Sequence, residues 1–169
     1  MSTTRLYLDQ NYLSGMAKRK PAFAELELIL REAVAKGAIT VFESKVHAEE
    51  SAPRPDLKLL ELLRELSQGH RLPEQANRQA RDARRRMQHT ITYELPERAA
   101  RPSDQADLDA LAQALVHCDL VTCDAFMADV IRRARLDLRH KTELFSGRRR
   151  DVMRLRDRAE TLITDHNRA

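Results

Sequence analysis

The sequence predicts an α/β domain built on a mainly parallel sheet. Two observations point there. Short apolar runs rich in bulky or β-branched residues recur along the chain, and stretches with helical periodicity separate them. A third observation concerns strand ends: "RLYLDQN" at 5–11 and "DLVTCD" at 119–124 both run into an aspartate.

In chain order, "LYLD" is the first strand, ending at Asp9. "QNYLSGMAKRK" turns and forms a short helix that stops near Pro21. From Phe23 to Lys36, the positions Leu26, Leu28, Ile29, Leu30, Ala33 and Val34 make a helical stripe, with Gly37 where a C-cap belongs. "AITVF" at 38–42 is a second strand. Ser44 can N-cap a short helix through Glu50, which Pro53 and Pro55 terminate.

Residues 56–67, "DLKLLELLRELS", form the clearest amphipathic helix, with Leu59, Leu60, Leu62, Leu63 and Leu66 on one side. A very polar helix from about Glu74 to His89 follows, and the two are expected to form a helical hairpin projecting from the sheet. Residues 90–103, with Pro96 and Pro102, read as a loop. Asp104 is expected to cap the helix in "QADLDALAQALVHC", which leads into the strand "LVTC". A helix over Ala125 to Arg135, a last strand "TELF" at 142–145 and a basic helix after Gly147 complete the order.

With 169 residues, of which 42% are hydrophobic, the chain fits one domain with a sizeable core rather than a disordered segment. No apolar run is as long as a membrane span and the N-terminus lacks a signal pattern, so no membrane partner is expected. Cys118 and Cys123 are too close to staple a fold and read as reduced core thiols of a cytoplasmic protein. Charged residues make up 33% of the chain, with a net charge of +4, and arginines crowd 78–89 and 132–158. Guanidinium forks suit phosphates, so nucleic acid is the expected partner, with Arg81, Arg84, Arg85, Arg148 and Arg149 as candidate contacts. The competing reading is a solvated helix surface, because Asp82, Asp151 and Asp157 are interleaved. An aromatic content of 4% disfavours an extended base-stacking platform.

Parallel sheets gather functional groups at the carboxyl ends of their strands. Asp9 and Asp124 fall on that edge, whereas Asp119 precedes its strand and reads as a turn residue at the far end. In "SDQADLDALAQAL", Leu108, Leu111, Ala112 and Leu115 are the buried stripe, and Asp107 borders it. Asp109 is turned about 200° from Asp107 and is expected to face water. After the second strand, Glu49 and Glu50 stand three and four residues beyond the inward Val46, and periodicity does not separate them. Four carboxylates at one edge repel each other unless a cation sits among them or some take up protons. Hard cations such as Mg²⁺ and Mn²⁺ prefer oxygen ligands, and with arginines nearby the chemistry predicted is metal-assisted phosphodiester hydrolysis. His47, His117 and His140 are isolated in the sequence and read as structural or surface residues.

The segments "LYLDQNYLS", "SKVHAEE", "DLDALAQAL" and "LVTCDAFM", in that order, resemble the PIN-domain nucleases. The resemblance implies a three-layer α/β/α sandwich and a metal-dependent endoribonuclease using Mg²⁺ or Mn²⁺. It matches Asp9, Glu49, Asp107 and Asp124 to the four acids that hold metal and activate water, with Asn11 and Thr122 as the neighbouring amide and hydroxyl that orient them. Many such nucleases are toxins of toxin–antitoxin pairs and frequently dimeric, so RNA, an inhibitor protein and a second copy are the partners it implies. The chain departs from compact members in the longer, arginine-rich region at 54–103 and in the basic helix of 147–169. A non-catalytic module of the same fold that binds RNA or protein, and a structure-selective DNA nuclease, are the alternatives.

Overall fold

The computed structural model describes residues 2–47 and 58–169. Its strands are β1 (Thr4–Tyr7), β2 (Ile39–Phe42), β3 (Leu120–Thr122) and β4 (Glu143–Phe145). Its helices are α1 (Gln10–Ala17), α2 (Pro21–Ala35), α3 (Leu59–Ser67), α4 (Arg78–Glu94), α5 (Asp104–His117), α6 (Ala125–Arg133), α7 (Leu136–His140) and α8 (Arg149–Arg168). The strands form one sheet in the order β2-β1-β3-β4, and every pairing is parallel.

Successive strand residues point to opposite faces, and that alternation divides the core in two. Leu6, Ile39, Val41, Leu120 and Phe145 enter one apolar cluster, while Tyr7, Val121 and Leu144 enter the other. Side chains of α1, α2, α3 and α8 complete the first cluster, and those of α4, α5, α6 and α7 complete the second. The result is a three-layer α/β/α sandwich. Strands buried on both faces need apolar residues at every position rather than at alternate ones, which is why they read as short continuous apolar runs.

Local signals set several boundaries. Pro21 occupies the first turn of α2, where its missing N–H costs nothing, and Gly37 (φ +75°) follows the C-cap Lys36. The Asn77 side chain accepts from the Ala80 N–H at 2.9 Å, so α4 starts at Arg78 rather than near Glu74. The same helix runs through 90–94, where a loop is expected from sequence. Thr90 is buried with its Oγ1 donating to the Arg86 carbonyl at 3.0 Å, and Ile91 packs on the second cluster. Tertiary burial there outweighs the modest helix preference of β-branched residues. The helix expected over Ala125 to Arg135 ends at Arg133, and left-handed Arg135 (φ +57°) redirects the chain into α7.

The helical middle is not a projecting hairpin. Leu59, Leu62, Leu63 and Leu66 of α3 join the first cluster, whereas Ala83 and Met87 of α4 join the second. A strongly one-sided leucine stripe buries itself only against a core, and here each helix finds a different face. The basic helix α8 is likewise integral. It buries Val152, Leu155, Ala159 and Ile163, and each larger apolar side chain contributes about 1.5–3 kcal/mol. Cys118 and Cys123 are free and buried. Among the described residues, no helix is long and apolar enough to cross a membrane.

The contact between α1 and α2 depends on a missing side chain. A Cβ on Gly15 would lie 2.6–2.8 Å from three carbons of the Phe23 ring, which also stacks edge-on against Tyr12 with centroids 5.2 Å apart. Gly15→Ala gains up to ~1 kcal/mol of helix propensity but must displace Phe23, and overpacking costs ~1–3 kcal/mol. Because Phe23 is packed edge-on against Tyr12, a net loss of up to about 2 kcal/mol is expected in urea denaturation. Unchanged stability would mean that Phe23 moves aside freely.

Candidate active site

β1 and β3 pair at the centre of the sheet, yet their outer neighbours, β2 and β4, lie on opposite sides. Such a reversal opens a crevice beyond the carboxyl ends of the two central strands. Asp9 and Asp124 stand there, each as the N-cap of the helix that leaves the sheet. Asp9 accepts from the Tyr12 N–H at 3.4 Å and Asp124 from the Met127 N–H at 2.7 Å. The two strand ends are also joined directly. The Asp9 N–H donates to Thr122 Oγ1 at 2.8 Å, and the Thr122 hydroxyl donates back to Asp9 Oδ1 at 2.8 Å. Thr122 is wholly buried, so its hydroxyl is held in this role.

A cavity of ≈ 350 Å³ lies over these groups, and Asp9, Gln10, Asn11, Arg101, Asp107 and Asp124 are among the residues that line it. Asp107 reaches it from the first turn of α5, whose apolar stripe is buried on the sheet. The structure therefore brings together Asp9, Asn11, Asp107 and Asp124, with Thr122 behind Asp9. Glu49 and Glu50 lie outside the described residues. The carboxylate that follows β2 directly, Glu43, accepts from Ser67 Oγ at 2.9 Å and pairs with Arg71 Nε at 2.8 Å. Asp119 sits at the opposite edge, as expected, accepting from the Arg5 N–H at 2.9 Å and from its guanidinium.

The electrostatics of the cavity follow from burial. Desolvation pushes the Asp9 carboxyl up to about 6, and the charge of Asp124 adds to the rise. Hydrogen bonds from Thr122 and from the backbone N–H groups of Tyr12 and Asn11 oppose it. His47 fixes the residue before Asp9. Its Nε2 donates to the Leu8 carbonyl at 2.6 Å, Nδ1 accepts from the Ser44 N–H at 2.9 Å, and burial lowers its pKa. That neutral, fully bonded ring is structural, in line with its isolated place in the sequence.

Arg98 is a member of this neighbourhood that sequence reasoning does not single out. Its guanidinium bonds both oxygens of Asp104, at 2.7 and 3.2 Å, and lies 3.7 Å from the centroid of the Phe126 ring. Asp104 raises its pKa most, and the charges of Asp124 and Asp107 add to the effect, so Arg98 lies within electrostatic reach of the acidic set. Asp104 is thus an anchor rather than the expected cap: the N-cap position belongs to Ser103, without a side-chain bond. A single arginine in a loop, six residues before its partner, carries no periodic signal.

The arginines of α4 are largely occupied. Arg84 pairs with Asp109 and bonds Gln105, tying α4 to α5; Asp109 is exposed, as expected, and takes this ion pair. Asp82 holds Arg85 at 3.3 Å, Arg86 at 2.8 Å and Arg139 at 3.6 Å, and Arg81 donates to the Ala76 carbonyl at 2.8 Å. Arg148 and Arg149 are exposed at the start of α8, and Arg148 lines a groove that reaches Asp124.

The donors in the cavity are oxygens, the ligand type that Mg²⁺ and Mn²⁺ take, and a raised Asp9 beside a second carboxylate is a site that a cation would relieve. Among the described residues, no three His, Cys, Asp or Glu side chains form a ready coordination group. No family model, curated protein or solved structure matches the chain.

The raised Asp9 pKa fixes the sign of a pH effect. The folded value of about 6 lies above the ordinary 3.8, so the native state binds this proton more tightly. Stability then falls as pH rises from about 4 to 6, and the penalty is fully present above 6. Asp9→Asn keeps the cap and the acceptor for Thr122 but never ionises. It is expected to be more stable than the wild type above pH 6, by up to about 3 kcal/mol, with the gain vanishing below pH 4. Urea denaturation at pH 4, 6 and 8 checks this, and a pH-independent difference would show that Asp9 ionises freely.

Proposed function

We propose that the protein is a nuclease that hydrolyses phosphodiester bonds with the help of Mg²⁺ or Mn²⁺, acting as an endoribonuclease. The observation that carries this reading is the convergence of Asp9, Asp107 and Asp124, from three separate elements, on one cavity at the switch point of a parallel sheet. The resemblance to PIN-domain nucleases supports RNA as the substrate, and with it the toxin role in a toxin–antitoxin pair.

In this reading Asp9, Asp107 and Asp124 hold the cation, with Glu49 as the fourth acid that the resemblance matches. A bound divalent cation supplies an activated water and neutralises charge on the leaving oxygen. The Asp9 carboxyl, its pKa raised by burial, would be held ionised once a cation sat against it. Thr122 fixes the orientation of Asp9 through Oδ1, and the N-cap bond to Met127 fixes Asp124. Asn11 and Arg101 border the space where a phosphate would sit.

Wild-type protein is expected to cleave labelled RNA with Mn²⁺, and Asp124→Asn to lose on the order of 10²–10⁴-fold of that rate while keeping the helix cap. Equal cleavage by both would place the activity elsewhere. A panel of single-stranded RNA, structured RNA and flap DNA separates an endoribonuclease from a structure-selective DNA nuclease. A non-catalytic binding module is the second reading. Calorimetry with Mn²⁺ at neutral pH decides between them: heat of binding that Asp124→Asn abolishes supports the nuclease, and no binding supports the module.

A further inference from the structure

Beside the acidic cavity runs a groove of ≈ 460 Å³ that shares Asn11 and Asp124 with it. Lys18, Lys20 and Arg148 line this groove. Lys18 caps the end of α1, Lys20 the start of α2 and Arg148 the start of α8. All three are exposed, and none is ion-paired among the described residues. They differ in this from the arginines of α4, where Asp82 and Asp109 already offset much of the charge. The position of Arg148 is built in. The Tyr12 hydroxyl donates to the Ser146 carbonyl at 2.6 Å, Ser146 donates to Asp151 from N–H at 2.9 Å and from Oγ at 2.7 Å, and the Arg148 N–H donates to Ser146 Oγ at 3.3 Å. The next depression shares Arg148 and adds Arg132 and Arg150, but Asp129 and Asp151 line it too, so its excess of positive charge is smaller.

A polyanion approaching Asp9, Asp107 and Asp124 meets repulsion unless cations hold it from the side. We propose that the Lys18–Lys20–Arg148 groove is the track that holds the phosphate backbone of an RNA strand as it enters the acidic cavity, a role for which the sequence suggests Arg148 and Arg149 or the α4 arginines but neither lysine. The proposal rests on the nuclease reading above. Unpaired cations contact phosphates without reading bases, so binding through the track is salt-dependent and indifferent to sequence. Three phosphates neutralised on a single strand correspond to a slope of about −2 in log affinity against log salt, or roughly 20-fold weaker binding between 50 and 200 mM salt.

The test is fluorescence anisotropy with a labelled single-stranded RNA oligonucleotide, from 50 to 200 mM KCl, on the cleavage-deficient Asp124→Asn protein. Adding Lys18→Ala, Lys20→Ala and Arg148→Ala together is expected to remove a slope of about 2 and to weaken binding at least tenfold at 50 mM salt. Adding Arg81→Ala and Arg85→Ala is expected to change affinity less than threefold. A DNA oligonucleotide of the same sequence is expected to show the same loss in the triple variant, since only backbone phosphates are held. Thermal melts confirm that the exposed substitutions leave the fold intact. Undiminished binding by the triple variant, an equal loss in the α4 variant, or no binding by any protein overturns the track. Cleavage by the otherwise wild-type chain is scored separately. Cleavage with a binding-neutral triple variant refutes the track and leaves the nuclease standing, whereas track-dependent binding without cleavage supports the track and refutes the nuclease.

Discussion

The two hydrogen bonds exchanged between Asp9 and Thr122 are the constraint on which the cavity depends. They join the ends of β1 and β3 where the sheet's ladder stops and the chain turns outward in both directions. Without them, the Asp9 carboxylate would be held only by the backbone N–H groups of its own helix, Tyr12 at 3.4 Å and Asn11. With them, the half-buried Asp9 has one carboxylate oxygen oriented by a hydroxyl that is itself fully buried. The cost of that burial is visible in its raised pKa, and stability and site chemistry are therefore set by the same few atoms.

The sandwich around this point distributes labour between its faces. Helices α5 and α6 bring Asp107 and Asp124 from the second face, and α1, on the first, begins at Asp9. The acidic set thus straddles the sheet edge rather than lying on one layer. The loop before α5 contributes Arg98, whose pairing with Asp104 and stacking on Phe126 ties that loop to the start of α6. Charge balance in the neighbourhood is then a property of the fold, because one cation is resident whatever the solution contains.

Strand endings are legible in the sequence because a strand buried on both faces is a continuous apolar run, and the first polar residue after it must sit at the edge. Asp9 and Asp124 stand out for that reason, and Asp107 because helical periodicity places it beside Leu108 and Leu111. The route of the middle of the chain is not legible in the same way. The leucines of α3 announce a buried stripe but not which face receives it, and the end of α4 is decided by the burial of Thr90 and Ile91, which local preference opposes. Arginine counts mislead for a related reason: Arg84 and Arg86 are conspicuous along the chain, yet each is committed to an aspartate in space. Lys18 and Lys20 look like ordinary punctuation between two helices, and only the sheet's geometry brings them beside Asp124.

The bond from Tyr12 to the Ser146 carbonyl spans 134 residues of sequence, and that between Asp9 and Thr122 spans 113. Contacts of such separation form late, after the loops they close have been ordered. During synthesis, α1 emerges early with Asp9 already in place to cap it, but its partners arrive only when the last strand and the turn into α8 have been made. The cavity therefore cannot assemble on a nascent chain until most of the polypeptide exists. A partly made chain carries the acid without the site, and the fold itself times when the cavity appears.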